Sequence, residues 1–374
     1  MTEDSPTSEP IAVPAFSGIP IRNVWYMLLY AWNNESFRNR YKADAESAPS
    51  LNALLASVLA DAVEQRIRIG LGRGYINESK NIRGIRGRID FTTSLKRLLF
   101  ENGQAHCRFQ TYSHNIPKNQ IIRSIMARLI QAGDFGPTRA KAEYLRSKLR
   151  RLVRALDHVD FCEPSLELIR RQTLGRNDAD YRLMLNICEF ILLQTIPLES
   201  EGRYSTPHLD RSQLILYRVF EKFVANFFRL NLQNWRVTSQ SPLDWHAQAT
   251  SVFMPAMTAD VILYQPSTDT TLVLDTKFTP HCLITNRWGS SVFDSSHVYQ
   301  IYAYLRSQEH ISRSHGDAAG ILLYPFAGTQ LNEVVCLQGH RIHFCTVNLM
   351  NQWRQIEERL LGIVTAASSP TGNN

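Results

Sequence analysis

Met257-Thr258-Ala259-Asp260-Val261-Ile262-Leu263-Tyr264, a turn from Pro266 to Asp269, and Leu272-Val273-Leu274-Asp275-Thr276-Lys277 make up the stretch whose reading decides the fold. Each run is apolar and short, as a buried strand should be, and Pro266-Ser267-Thr268-Asp269 supplies turn chemistry. Centring the turn between Ser267 and Thr268 sets Asp260 opposite Asp275 on the ladder. Directly opposed residues hold their Cβ atoms roughly 4.5–5.5 Å apart, and like charges placed there are destabilising. A fold tolerates such a pair when a cation sits between the carboxylates or one of them is protonated. Period-two alternation puts Lys277 on the face of Asp275 and points Thr276 away. Two carboxylates and a lysine converging at a strand end predict a hard-cation site that cuts phosphodiesters. Taken alone, Asp-x-Lys also fits a strand running out into solvent.

Working outward, the segment around this hairpin reads as one α/β module with a mixed sheet and helices on its faces. A helix over Leu214 to Leu230, carrying Glu221, precedes a strand near Trp235 to Thr238. After the hairpin come a Gly/Ser-rich connection through Arg287-Trp288-Gly289 and a helix capped by Ser295 or Ser296. The strand Ala319 to Tyr324, another over Ile342 to Val347 and a helix from Asn351 to Ile363 complete it. The domain is expected to span 205–365, with a disordered tail at 366–374.

The N-terminal half has another character. Residues 1–15 carry acids and prolines without a basic n-region and predict a disordered tail instead of a signal peptide. A partner-docking α+β domain is expected over 16–200. It opens on Ile19 to Trp32, a helix that Asn23 would cap, and continues with a helix over Leu51 to Arg66. Short basic strands and turns follow to residue 91. Helices at Asn119–Ala132, Thr138–Leu156 and Tyr181–Thr195 come next, before a polar boundary over Ile196 to Leu209. Gly70-Leu71-Gly72-Arg73-Gly74 lacks the G-K-[ST] ending of a phosphate loop and reads as a turn. With no Walker A motif, the chain should not hydrolyse nucleotide by itself.

The 374 residues are 44% hydrophobic, enough for two domains with real cores. Residues 61–160 hold 20 Lys and Arg against 9 Asp and Glu, while the whole chain carries +7, so the basic excess is regional. That excess is expected to face DNA or an acidic protein surface. In the 138–156 helix, seven cations surround an apolar stripe, which fits either a solvated face or a contact with DNA or partner. Six scattered cysteines, with no C-x-x-C pair, predict reduced thiols in a cytoplasmic protein and no structural zinc. No apolar run reaches about 18 residues, so no membrane span is expected.

Hydrolysis of DNA needs a cation to polarise a phosphate oxygen and acidify a water. Mg²⁺ takes oxygen ligands and keeps several waters, so Asp260 and Asp275 are assigned as its ligands. Lys277 would orient or activate the attacking water. Glu221 fits either an added water-mediated contact or a solvent-facing helical position. Gln300 and Tyr304, four apart on one helix face, could support Lys277 or touch a DNA strand. His281, Cys282 and His297 show no ligand spacing and read as structural.

The D-x(n)-D-x-K hairpin followed by Gln300-x-x-x-Tyr304 resembles the PD-(D/E)XK nuclease superfamily. More narrowly, residues from about Ile19 to Ile363 resemble McrC, the nuclease subunit of McrBC modification-dependent (5-methylcytosine) restriction systems. The likeness is carried by residues 19–32, Gly84-Ile85-Arg86-Gly87-Arg88-Ile89-Asp90-Phe91 and Asn119-Gln120-Ile121-Ile122. It continues through Asp260, Asp275 and Lys277, Tyr299-Gln300 with Tyr304, Leu323-Tyr324-Pro325 and Cys345-Thr346-Val347-Asn348-Leu349. Ala259 stands where the motif has proline.

The resemblance implies a restriction-endonuclease-like C-terminal core and an N-terminal region that docks on a hexameric McrB-like AAA+ GTPase. It further implies stimulation of that partner's GTP hydrolysis and Mg²⁺-dependent cutting of double-stranded DNA. GTP and the modified base would be bound by the partner. Arg176 is a candidate to probe the partner's pore or nucleotide site. The competing expectation is a non-catalytic adaptor that activates the motor through a vestigial nuclease site.

Overall fold

The computed structural model describes residues 18–175, 178–195, 211–247, 251–279, 282–285, 287–325 and 330–369. The expected tail at 1–15, the boundary at 196–209, Arg176 and His281 lie outside them, as does 370–374 of the C-terminal tail.

In chain order the first elements are α1 (Ile21–Ala31), α2 (Lys42–Ser47), α3 (Leu51–Ile69), β1 (Gly74–Arg83) and β2 (Arg88–Ile89). Then come α4 (Phe91–Lys96), β3 (Gln104–Ser113), α5 (Pro117–Ala132), α6 (Arg139–Ala155), α7 (Leu166–Arg170) and α8 (Ala179–Thr195). They are followed by α9 (Arg211–Asn231), β4 (Arg236–Leu243), β5 (Met257–Gln265), β6 (Thr270–Thr276), β7 (Leu283–Thr285) and β8 (Ser291–Phe293). The last are α10 (Ser295–Gln308), α11 (Arg313–Gly316), β9 (Ala319–Pro325), β10 (Asn332–Leu337), β11 (His340–Val347) and α12 (Trp353–Ser368). Two compact units emerge, one over residues 43–203 and one over residues 14–42 and 204–374.

The first unit packs α3, α5, α6 and α8 together and adds a small sheet ordered β1-β3-β2. Ser50 starts α3 by accepting the Ala53 amide at 3.1 Å, and Gly70, at φ +107°, ends it. The glycine loop after α3 is a packing device: the Gly72 amide donates to Tyr181 Oη at 2.8 Å, and a Cβ on Gly72 would meet that oxygen. Asn119 explains the Asn-Gln-Ile-Ile block, since its Nδ2 donates to the Gly72 and His114 carbonyls and its Oδ1 accepts from Tyr181 Oη. β3, which the sequence reading did not anticipate, pairs with β1 from Gly74↔Ser113 to Arg83↔Gln104.

In α6 part of the charge is paired internally. Lys148 pairs with Asp61 and Glu64, Arg151 with Glu64, and Arg150 with Glu143, while Arg146 donates to the Gly133 carbonyl. Three of its seven cations are thus paired with acids within the unit.

The second unit is built on a six-stranded mixed sheet ordered β10-β11-β9-β6-β5-β4. Its central strands β6 and β9 run parallel, from Leu272↔Ala319 to Thr276↔Leu323. A parallel pair needs a crossover, and α10 lies within it. β9 is buried along its whole length and β6 nearly so, which explains their unbroken apolar sequence.

Four expectations are corrected here. The helix at residues 19–32, expected in the N-terminal domain, belongs to the second unit. The Asn226 amide donates to the Tyr30 carbonyl at 2.9 Å, and Tyr30 stacks on Trp353. Asn23 is no cap: α1 starts after Pro20, and the buried Asn23 Nδ2 donates to Leu349 O and Asn351 O at 2.7 and 2.8 Å. The start of the expected C-terminal tail is helical, because α12 runs to Ser368 with Ala367 buried. At α10 the cap is Asp294, whose side chain accepts the Ser296 amide, in place of Ser295 or Ser296.

Candidate active site

The β5–β6 register runs from Gln265↔Thr270 to Val261↔Leu274, in phase with the turn placement, and ends one step before Asp260 and Asp275. Both carboxylates are buried, Asp260 at 7% and Asp275 at 1% exposure. Such a pair costs folding energy unless each member is engaged.

Asp260 is held by the neighbouring strand end. Its Oδ2 accepts from the Thr276 amide at 2.8 Å and from Thr276 Oγ1 at 2.7 Å. The expectation that Thr276 points away is therefore corrected, since its hydroxyl is part of the site. Asp275 faces Lys277, whose Nζ lies 2.7 Å from Oδ2. That contact is an ion pair without hydrogen-bond alignment, so Oδ2 is buried with no aligned donor. Burial is the largest effect on both acids and raises the pKa of each. The Asp260 charge raises Asp275 further, while Lys277 opposes the shift.

Lys277 is fixed on its other side by α10. Its Nζ donates to Gln300 Oε1 at 2.6 Å, and Gln300 Nε2 donates to Tyr304 Oη at 2.6 Å. The Gln-x-x-x-Tyr spacing thus supports the lysine from one helix face, as the sequence suggests.

Glu221, one turn into the apolar part of α9, accepts from Gln240 Nε2. Its carboxyl is pushed up to about 7 by burial first and then by the Asp260 charge, with a smaller push from Asp275. The structure brings it near the aspartates and half-buries it; the solvent-facing alternative does not hold.

Two further groups went unanticipated. The Tyr217 phenol, one turn before Glu221, is raised by burial and then by the charges of Asp260, Asp275 and Glu221, so it stays protonated beside them. Only its four-residue spacing from Glu221 could have flagged it. His297, read from sequence as structural, sits three residues before Gln300 with Nδ1 at 3.1 Å from Tyr324 Oη. Burial, then Lys277, lowers its pKa and keeps the ring neutral.

Among the described residues, no group of three or more His, Cys, Asp or Glu is arranged to hold a metal ion. The aspartate pair still fits a small hard cation, because Mg²⁺ is commonly bound by one or two carboxylates with waters and substrate phosphate. The buried Asp275 oxygen without an aligned donor is the observation that supports this fit. No helix among the described residues is long and apolar enough to cross a membrane.

Comparison with known proteins places these features in a family. The model of the McrBC 5-methylcytosine restriction system component matches residues 11–325. The type IV methyl-directed restriction enzyme EcoKMcrBC of Escherichia coli (strain K12) is 29% identical over 352 residues, covering 92% of this chain and 97% of the relative. The fold is similar to a chain in a Thermococcus gammatolerans assembly of McrB AAA+ hexamers with bound McrC. There the TM-score is 0.55 at 12% identity, covering 93% of this chain and 76% of that one. With more than half of its length matched, the chain belongs to the family of McrBC 5-methylcytosine restriction system components.

Proposed function

We propose that this chain is the DNA-cleaving subunit of a modification-dependent restriction system, of PD-(D/E)XK type. It would dock on an AAA+ GTPase hexamer, stimulate GTP hydrolysis there and hydrolyse phosphodiester bonds with Mg²⁺. The observation that carries the reading is the buried Asp260–Asp275 pair with Lys277 held between Asp275 and Gln300. The partner is supported by the Thermococcus complex, in which McrB AAA+ hexamers carry McrC.

Asp260 and Asp275 would hold the divalent ion, which when bound polarises a phosphate oxygen and acidifies a water. Thr276 orients Asp260 and opposes the effect of burial by donating twice to one oxygen. Lys277, clamped by Gln300, presents a fixed positive charge where negative charge develops on the phosphate. Glu221, with its raised carboxyl, is placed to take a proton near neutral pH.

The test is plasmid cleavage by the purified chain in Mg²⁺, beside Asp275→Asn and Lys277→Ala, with and without the neighbouring AAA+ protein and GTP. Cutting that needs the partner, GTP and both residues, with GTPase stimulation retained in both variants, is the expected result. Stimulated GTP hydrolysis without any cutting of modified DNA would replace the nuclease with the adaptor reading.

A further inference from the structure

Between β6 and α10 the chain contains no acid: from Lys277 to Phe293 there is no Asp or Glu, and Asp294 is the first. Among the described residues, this connection holds the β7–β8 pair, from Leu283↔Phe293 to Thr285↔Ser291. Its root is anchored. Cys282 is buried, Leu283 and Phe293 pack on the core under α10, and the Phe293 ring stacks on Phe344 at 3.7 Å and 15°.

Phe344 pairs with Leu322, and Leu322 pairs with Asp275. The root therefore stands level with Asp275 and two strands along, about 10 Å at the usual inter-strand spacing. Beyond it the arm is exposed. Ile284 and Val292 are open, and Trp288 is 73% exposed with the Arg287 guanidinium 4.1 Å from its ring centroid. Gly289, at φ +82°, permits the reversal. Arg287 is exposed as well.

We propose that the β7–β8 hairpin is a DNA-gripping arm of the cleavage site, with Arg287 on a backbone phosphate and Trp288 against the adjoining sugar and base edge. The proposal rests on the nuclease reading and deepens it. An arm rooted about 10 Å from the carboxylates is closer than the roughly 12 Å width of a major groove, so one duplex can meet both. A stretch free of acids and tipped by Arg over an aromatic ring suits a polyanion with flat, stackable edges. An acidic protein surface would meet the charge but leave Ile284, Trp288 and Val292 without a matching apolar contact.

The test is fluorescence anisotropy of the full chain on a labelled duplex across a salt series, in Ca²⁺ to prevent turnover. Wild type is compared with Arg287→Ala, Arg287→Lys and Trp288→Ala, each first checked for an unchanged thermal melt. Arg287→Ala is expected to lower the log–log salt slope by about 0.9, the value of one phosphate contact, and Arg287→Lys to restore it. Trp288→Ala is expected to weaken binding roughly tenfold at unchanged slope. Variants that bind like wild type would overturn the arm. A parallel Mg²⁺ cleavage assay with the AAA+ partner separates the two ideas. Cutting that persists while the arm variants bind normally removes the arm alone, whereas wild type that neither binds nor cuts removes the nuclease reading with it. A Trp288→Ala protein that changes oligomeric state without changing DNA affinity would assign the arm to a second copy and overturn the proposal.

Discussion

Thr276 donates twice to one oxygen of Asp260, through its amide at 2.8 Å and its hydroxyl at 2.7 Å. The pairing links the last residue of β6 to the fourth of β5 and makes the acid part of the sheet instead of a loosely held side chain. A buried carboxylate with two charge-assisted hydrogen bonds is both oriented and biased toward its ionised form.

Thr276→Val keeps the branched shape and removes only the hydroxyl. Stability should fall by about 1.5–3 kcal/mol in denaturant melts, the usual range for a hydrogen bond to a charged group. Because the lost donor had lowered the Asp260 pKa, the acidic limb of the cleavage profile should move to higher pH. An acidic limb that stays in place would show that Asp260 does not govern it.

Gln300→Ala frees Lys277 on the side away from Asp275. Cleavage should drop about 10–100-fold, as expected when a positioning contact is lost, with little change in melting temperature. Tyr304→Phe, which removes only the acceptor for Gln300 Nε2, should cost less. Single-turnover rates at saturating DNA distinguish this from weakened binding.

Glu221 sets a pH dependence of stability. Its folded carboxyl sits at about 7, above the ordinary unfolded value. In the window between the two, the folded chain holds a proton that the unfolded chain has lost, so stability falls as pH rises. Asp275, raised in the same direction, adds to the slope at lower pH. In cation-free buffer, Glu221→Gln should flatten the decline between about pH 5 and pH 8 by on the order of 1–2 kcal/mol, allowing for partial exposure. Parallel wild-type and variant curves would contradict this.

Asn23→Ala tests the placement of α1. It removes two buried donors and leaves the Leu349 and Asn351 carbonyls unmet, at a cost of about 2–4 kcal/mol. Hydrogen exchange should report the loss in α12 and the six-stranded sheet, with β1 and β3 unaffected. Protection lost mainly in β1 and β3 would contradict that placement.

The local sequence was enough to group the candidate residues. Apolar runs flanking a four-residue turn leave one in-phase register, which the structure shows from Gln265↔Thr270 to Val261↔Leu274, one step short of Asp260 and Asp275. Helical spacing likewise put Gln300 and Tyr304 on one face, because three to four residues complete a turn. Only the tertiary structure decided what touches what across the chain. The side chain of Thr276 reaches Asp260 just past the last paired residues of the β5–β6 ladder, which strict alternation does not capture. The α1 helix joins residues more than 300 positions away through Asn23, a contact that no local pattern encodes. The cations of α6 were legible as a stripe, but the pairing of Lys148 and Arg151 with Asp61 and Glu64 of α3 depends on helix packing. Local propensities act over a few residues, whereas burial and charge pairing are settled by which surfaces the folded chain brings together.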